Sequence, residues 1–222
     1  MAEKPIDPEE LTFEEGEYLV RLARWSVENY FNLTSSEEPQ APSERLRRPG
    51  AAFVTIETFR GGERSLTGCI GYIKPVKPLV ETVKDVALQA ALNDPRFPPL
   101  QPEELDVVTF EVSVLSDMEK APSDRNGRRE FVKIGRDGLF IVYGPFSGLL
   151  LPQVPVEYGW SVDEFLSETC VKAGLPWDCW FNPRVEVYRF RAKIWRETRP
   201  RGPVEERDLR REWVERRGGL NT

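Results

Sequence analysis

The chain has 222 residues, with 31 Lys or Arg, 37 Asp or Glu and no His, so its formal net charge is −6. Without histidine it cannot form a Ser-His-Asp triad, a Cys-His pair or a histidine-ligated zinc or iron site. The acidic balance disfavours a protein-wide electrostatic attraction to nucleic acid, although local basic patches remain open. Neither a Gly-x-Gly-x-x-Gly nor a Walker A pattern occurs. The sequence therefore predicts no metal site and no cofactor.

The length fits one large domain or two small lobes with a real core. No apolar run approaches the roughly 18 residues needed to span a bilayer, and the acidic start "MAEKPIDPEEL" lacks the apolar stretch of a secretory signal. Three cysteines form no dense disulfide framework. We therefore expect a cytoplasmic protein. The excess of arginine over lysine fits a thermophilic source, and GC-rich codon bias fits it equally well.

The first half of the chain predicts two helices and a β-hairpin. Thr12 and Glu15 form a capping box, and apolar residues at helical spacing follow. The polar, proline-rich stretch 34–50 is typical of a loop. The segments "AFVTIETF" and "SLTGCIGYI" flank the turn at 60–63 and predict a hairpin. A second helix runs from Pro78 to about Asn93, where Asp94-Pro95 ends it.

The second half predicts more strands and a helix. The alternation in "VVTFEVSVL" indicates a strand, "EKAPSDRNGRRE" a loop, and "FVKIGRDGLFIVYGPFSGLLLPQV" three short strands. Ser161 and Glu164 form a second capping box, and "VEVYRFRAKIW" is a final strand. The stretch from Val204 to Arg217 predicts a solvated helix, on which Leu209 and Trp213 hint at an oligomer contact. Strands joined mainly by hairpins, with a few helices, favour an α+β fold with largely antiparallel sheets.

Several motifs, in order, resemble those of the AMMECR family. They are "LTGCIG", "ALNDPRFPPLQPEELD", "FEVSVLS", "KIGRDGLFIV", "GLLLPQVPVE" and "EFLSETCVKAGLPWDCW", and the likeness spans roughly residues 13 to 197. The chain resembles a stand-alone microbial member of the family. One departure is Thr67, because the hexapeptide of the family usually has arginine at its second position. An anion held by that arginine in relatives would need another group here.

The resemblance implies a fold of two unequal α+β lobes with a cleft between them and the hexapeptide at the cleft. We expect a larger lobe at 1–57 plus 129–222 and a smaller lobe at 58–128, together making one AMMECR-type domain over 1–222. The biochemical activity of the family is not established. Its association with MEMO-type and radical-SAM proteins suggests a shared pathway that modifies a molecule such as RNA or a nucleotide.

Cys69 is the candidate nucleophile. Simple strand alternation puts Leu66 and Ile70 toward the core and Cys69 on the opposite face, beside Thr67. Gly68 and Gly71 would then let a ligand approach the backbone, and nearby arginines would lower the pKa of the thiol. The competing interpretation is that Cys69 is a small apolar filler and the glycines allow tight packing, since free cysteines are often buried.

Other candidate ligand contacts lie outside the hexapeptide. In "NDPRFPP", Arg96 would contact an anion and Asp94 would be a further ligand contact. The competing interpretation is a rigid proline-rich loop that fixes the helix against the strand. Gln153 would face the cleft from a strand end, or else lie in a surface turn. Cys170 has the spacing of a core residue, and Cys179 could reach it, but the spacing alone does not decide this.

Two classes of function follow from these residues. The first is a ligand-binding or catalytic component of a modification pathway, with its cleft at Leu66 to Gly71 and contacts from Leu66, Thr67, Gly68, Ile70, Gly71, Asp94, Arg96 and Gln153. The second is a non-catalytic adaptor that binds a protein or nucleic acid partner through the same groove. A third possibility is that the thiol is structural only and function lies elsewhere. The sequence does not decide whether the chain is an enzyme.

Overall fold

The computed structural model describes residues 3–219 as an α+β protein whose paired strands are antiparallel. The fold class predicted from the sequence is confirmed. Along the chain the elements are α1 (Phe13–Tyr30), β1 (Ala51–Arg60), β2 (Glu63–Tyr72), α2 (Leu79–Leu92), β3 (Val108–Leu115), β4 (Glu119–Lys120), α3 (Arg125–Phe131), β5 (Asp137–Tyr143), β6 (Phe146–Leu150), α4 (Gln153–Tyr158), α5 (Val162–Lys172), β7 (Glu186–Glu197), β8 (Val204–Glu206) and α6 (Leu209–Gly219).

The chain divides into two compact units. Among the described residues, the first holds 3–115 together with Lys193–Arg207, and the second holds Ser116–Ala192 together with 208–219. These boundaries differ from those of the expected lobes, because the hairpin β1–β2 shares its core with α1 and is not part of a separate lobe. Strand β7 contributes residues to both units.

In the first unit, β1 lies between β2 and β3, and helices α1 and α2 cover one face of these strands. The side chains on that face are apolar and buried. They include Val54 and Ile56 of β1 and Val108, Phe110, Val112 and Val114 of β3. The alternation read in β3 is therefore confirmed, and its helix-facing positions form the main core.

In the second unit, β5 pairs with β6 on one side and with β7 on the other. Helix α5 contributes Phe165, Leu166 and Cys170 to the core of this unit. Cys170 forms a disulfide with Cys179, with 5.8 Å between their Cα atoms. The bond links α5 to the short 3-10 helix Cys179–Phe181.

Local sequence signals place most elements correctly. Both capping boxes are present, with the Thr12 and Ser161 hydroxyls accepting hydrogen bonds from the amides of Glu15 and Glu164. The hairpin turn has positive φ angles at Gly61 and Gly62, which glycine adopts without strain.

Several segments of the second half were predicted wrongly. The stretch expected to be a loop at 119–130 contains β4 and most of α3, whose start is capped by the Asp124 side chain. The expected first strand at 131–134 is absent, and the expected third strand gives way to α4 after Leu150. The predicted tail helix begins at Leu209, because Val204–Glu206 pairs with β7 instead. Leu209 is buried within this chain, so this residue of the expected Leu209 and Trp213 contact is not available to a second copy.

Candidate functional site

The motif of residues 66–71 lies on β2, and a register shift in the hairpin decides where its side chains point. Thr55 pairs with Cys69 and Ile56 with Gly68, but Glu57 pairs with Leu66, so Thr67 is an extra residue. The Thr67 hydroxyl accepts a hydrogen bond from the Thr58 amide at 3.1 Å. An insertion of one residue reverses the alternation beyond it.

The bulge corrects two sequence expectations. Leu66 is 41% exposed and does not enter the core, whereas Ile70 packs against the core as expected. The Thr67 hydroxyl hydrogen bonds to Thr58, so Thr67 does not share the face of the sheet that carries Cys69. Leu66 instead shares its side of the sheet with Glu57 and Cys69.

The two glycines of the motif admit atoms of this chain. A Cβ at Gly68 would overlap the backbone carbonyl of Ala90 in α2, and a Cβ at Gly71 would overlap the ring of Phe53. The space that was expected to admit a ligand is therefore occupied by a helix on one side and an aromatic ring on the other. Both glycines serve the packing of β2.

Asp94 and Arg96 hold the backbone of Cys69 from the far side of β2. Asp94 Oδ2 accepts a hydrogen bond from the Cys69 amide at 2.8 Å, and Arg96 Nη2 donates to the Cys69 carbonyl at 3.1 Å. Arg96 also forms a bidentate pair with Asp94, through Nε at 2.9 Å and Nη2 at 2.6 Å. The pair thus satisfies both peptide groups of Cys69 that face away from β1, as an additional strand would.

The charge state of Asp94 follows from these contacts. Burial acts to raise the pKa of Asp94, but the Arg96 side chain and the amides of Cys69 and Arg96 outweigh it, and the pKa falls to about 2. The Arg96 side chain is 41% exposed. Arg96 was expected to contact an anion, and Asp94 occupies two of its nitrogens.

Burial opposes ionisation of the Cys69 thiol. The thiol accepts a hydrogen bond from the Thr55 hydroxyl at 3.3 Å. Burial raises the pKa of Cys69 to about 11, although the Thr55 bond and the charge of Arg96 act in the opposite direction. At neutral pH the group is a thiol, and the thiolate is the form that attacks electrophiles. The expected lowering of the pKa by nearby arginine is outweighed.

A row of polar residues crosses three strands beside the thiol, and sequence reasoning missed it. Cys69 pairs with Thr55, and Thr55 pairs on its other side with Glu111 of β3. The neighbouring positions of β3 on this face, Thr109 and Ser113, are also polar, and Thr55 and all three residues of β3 are buried. We call this surface the polar face; it consists of Thr55, Glu57, Cys69, Thr109, Glu111 and Ser113. The signal was available in the other phase of the β3 alternation, "T-F-E-V-S".

Two carboxylates on the polar face are paired with arginine. Glu57 lies 3.3 Å from Arg64, and Glu111 lies 2.9 Å from Arg207. Burial, and then the negative charge of Glu111, raise the pKa of Glu57 above its ordinary value, against the opposing charge of Arg64. In a chain without histidine, a carboxyl group of this kind is the natural proton donor or acceptor.

Gln153 belongs to the second unit, whereas the motif of residues 66–71 belongs to the first. It is the first residue of α4 in the second unit and is buried, so the expected strand-end position is wrong. The structure brings together Cys69, Asp94 and Arg96, all in the first unit.

Over residues 3–219 no three His, Cys, Asp or Glu side chains cluster as metal ligands would. In that same range, no helix combines the length and the apolar character required to cross a membrane.

The AMMECR1 family model matches residues 20–195, which is most of the chain. The chain belongs to the AMMECR1 family. A protein of Aeropyrum pernix is 51% identical to it over 208 residues, covering 94% of this chain and 90% of that protein. A protein of Thermococcus kodakarensis is 51% identical over 197 residues, covering 87% of this chain and 96% of that one.

A solved structure is similar as well. The crystal structure of uncharacterized protein PH0010 from Pyrococcus horikoshii aligns with a TM-score of 0.81 at 44% identity, covering 89% of this chain and 98% of that chain. These AMMECR1 relatives come from thermophilic archaea, as the arginine-rich composition suggested. They support the family and the fold without naming a reaction.

Proposed function

We propose that this protein is a cytoplasmic, ligand-binding component of a modification pathway, and that its site is the polar face together with Asp94 and Arg96. In this proposal Cys69 contacts the ligand as a neutral thiol. Leu66, Thr67, Gly68, Ile70 and Gly71 form the strand that holds it. The family resemblance suggests RNA or a nucleotide as the molecule modified, and MEMO-type and radical-SAM proteins as pathway partners.

The observation that supports this proposal is the row Cys69–Thr55–Glu111. Buried polar groups lower stability unless they are paired, and an apolar face would serve packing better. On the opposite face of the same strands, the buried side chains of β3 are all apolar. The buried polar side chains of β3 are therefore confined to one face. Hydroxyl, carboxyl and thiol groups in one row suit a ligand with several hydrogen-bonding groups.

The test is the alkylation of Cys69 by iodoacetamide as a function of pH, in the presence and absence of nucleosides and nucleotides. Cys170 and Cys179 are disulfide-bonded, so Cys69 is the only thiol that reacts in the native protein. We expect a rate that rises with an apparent pKa of about 11, and a ligand that slows it. The urea-unfolded chain is the control, with an apparent pKa of about 8.5.

An apparent pKa in the native protein below that of the unfolded chain would overturn the neutral-thiol role and favour Cys69 as nucleophile. Thr55→Val sharpens the comparison, because it removes the hydroxyl that hydrogen bonds to the thiol. We expect this variant to react more slowly than the wild type at the same pH.

The second candidate function is an adaptor, and the exposure of Leu66 on β2 favours it. A large apolar side chain exposed on an edge strand is a common element of protein interfaces. Pull-down of purified MEMO-type and radical-SAM proteins by Leu66→Asp and by Cys69→Ser separates the two functions. Loss of partner capture with Leu66→Asp alone supports the adaptor. Loss of nucleotide binding with Cys69→Ser alone, measured by equilibrium dialysis, supports the ligand site.

A further inference from the structure

The turn after α5, in the second unit, exposes an aromatic surface. Trp177 is 62% exposed, and its ring meets that of Phe181 edge to face with 6.1 Å between centroids. Trp180 lies beneath, fully buried, with its ring 4.5 Å from that of Phe181. An indole exposed to this extent loses the stabilisation that burial would give it.

This turn is held firmly despite lying outside α5 and β7. The buried Arg128 donates to the backbone carbonyls of Trp180 at 2.6 Å and Asn182 at 3.1 Å. Trp180 Nε1 donates to Ser167 Oγ at 3.0 Å, and Cys179 is tethered to α5 by its disulfide. The aromatic surface is therefore preorganised, which lowers the entropy lost when a ligand binds.

One arginine stacks on these aromatic rings, and a second follows them along the chain. The guanidinium of Arg125 stacks on Phe181 at 3.9 Å from the ring centroid, and Arg184 follows Phe181 by three residues in the same exposed turn. Within residues 3–219, neither guanidinium has a carboxylate within 4.0 Å, whereas Arg129 of the same unit is paired with Asp163 at 2.7 Å. The positive charge beside the rings is thus not neutralised by an ion pair.

We infer that Trp177, Phe181, Arg125 and Arg184 form a contact site for single-stranded nucleic acid. A base stacks on the exposed indole, and the phosphates on either side approach the two guanidinium groups. Arg125 and Trp177 both adjoin the Phe181 ring, so one nucleotide unit is long enough to reach both. An exposed ring beside a guanidinium that has no carboxylate partner among the described residues suits a base flanked by phosphates. This inference concerns the second unit and does not rest on the polar face.

The test is fluorescence anisotropy with a labelled oligouridylate of about 12 nucleotides, at about 50 mM and about 200 mM salt. We expect the intact protein to bind it, and Trp177→Ala to bind roughly tenfold more weakly, as the loss of one stacked base predicts. Arg125→Gln should weaken binding and reduce the salt dependence by about one released ion.

The matched control is Tyr158→Ala, which removes an aromatic side chain of the same unit that is 69% exposed. We expect it to bind like the intact protein. Absence of binding at the lower salt concentration, or equal weakening by Tyr158→Ala and Trp177→Ala, would overturn the inference. Circular dichroism of each variant establishes that it is folded, so that a lost signal reports on the contact.

Discussion

The Asp94 carboxylate is the residue on which the geometry of the motif strand depends most directly. It accepts hydrogen bonds from the amides of Cys69 and Arg96 and a bidentate contact from the Arg96 guanidinium. Each contact favours the ionised form. The sequence singled out Asp94 and Arg96 as ligand contacts, but it could not identify the Cys69 backbone as their partner, because that contact joins residues 25 apart.

We expect Asp94 to make stability depend on acid pH. Its pKa in the folded chain is about 2, below the ordinary 3.8, so folding favours the carboxylate. The contribution is about 2 kcal/mol; it is fully present above about pH 4 and is lost as the pH falls through 2. In Asp94→Asn, urea unfolding should show lower stability at neutral pH and a smaller loss between about pH 4 and pH 2.

Asp117→Asn serves as the comparison for this prediction, because Asp117 is an exposed aspartate of the same chain. We expect its acid dependence to equal that of the wild type. If Asp94→Asn and wild type lose the same free energy of unfolding across that pH range, Asp94 is not preferentially ionised in the folded state.

At the scale of elements, local sequence predicted the β1–β2 hairpin and helix α2. It did not predict the contact between the hairpin and that helix. Turn glycines and helical periodicity are local signals, and they placed β1, β2 and α2 within a few residues. The bulge at Thr67 has no such signal, since "RSLTGCIG" reads as unbroken alternation. It is this bulge that brings Leu66 to the side of Cys69.

Gly68→Ala tests how closely α2 packs on β2. The new methyl group would overlap the backbone carbonyl of Ala90, which cannot rotate away as a side chain can. We expect a loss of about 1–3 kcal/mol or more in the free energy of unfolding, measured by urea denaturation. Gly71→Ala should also lose stability, because its new methyl group would overlap both the Phe53 ring and the backbone carbonyl of Ala52. Ser65→Ala, at an exposed position of the same strand, is the control and should change the free energy of unfolding little. A Gly68→Ala loss as small as that of Ser65→Ala would show that α2 moves away from β2 at little cost.

At the scale of the whole molecule, the antiparallel α+β class was predictable because it follows from counting hairpins and helices. The division into units was not, since Lys193–Arg207 returns to the first unit from the far end of the sequence. The polar face illustrates the same limit. Its Glu57 and Glu111 are 54 residues apart and become neighbours only through the pairing of β1 with β3.

The returning segment of the first unit is held by a buried ion pair between α1 and β7. Arg24 contacts Glu197 through Nε at 2.7 Å and Nη2 at 2.6 Å, and both residues are buried. Arg24 also donates to the carbonyls of Leu105 and Val108, and Glu197 accepts from the Phe110 amide at 3.1 Å. With every polar group occupied, neither charge is left without compensation.

Removal of one partner should therefore be severe. Glu197→Gln removes the closer of the two carboxylates that face the Arg24 guanidinium and leaves Glu28 at 3.4 Å, so we expect a loss of at least about 1–3 kcal/mol in urea unfolding. The loss should persist at high salt, because mobile ions do not reach a buried pair. The control is Glu44→Gln, which breaks an exposed ion pair: the Glu44 side chain is 85% exposed and that of Arg47 is 70% exposed. We expect this variant to change the free energy of unfolding by less than about 1 kcal/mol. A Glu197→Gln loss that is as small as that of Glu44→Gln, or that vanishes at high salt, would mean that the chain ends of the first unit are joined by apolar packing alone.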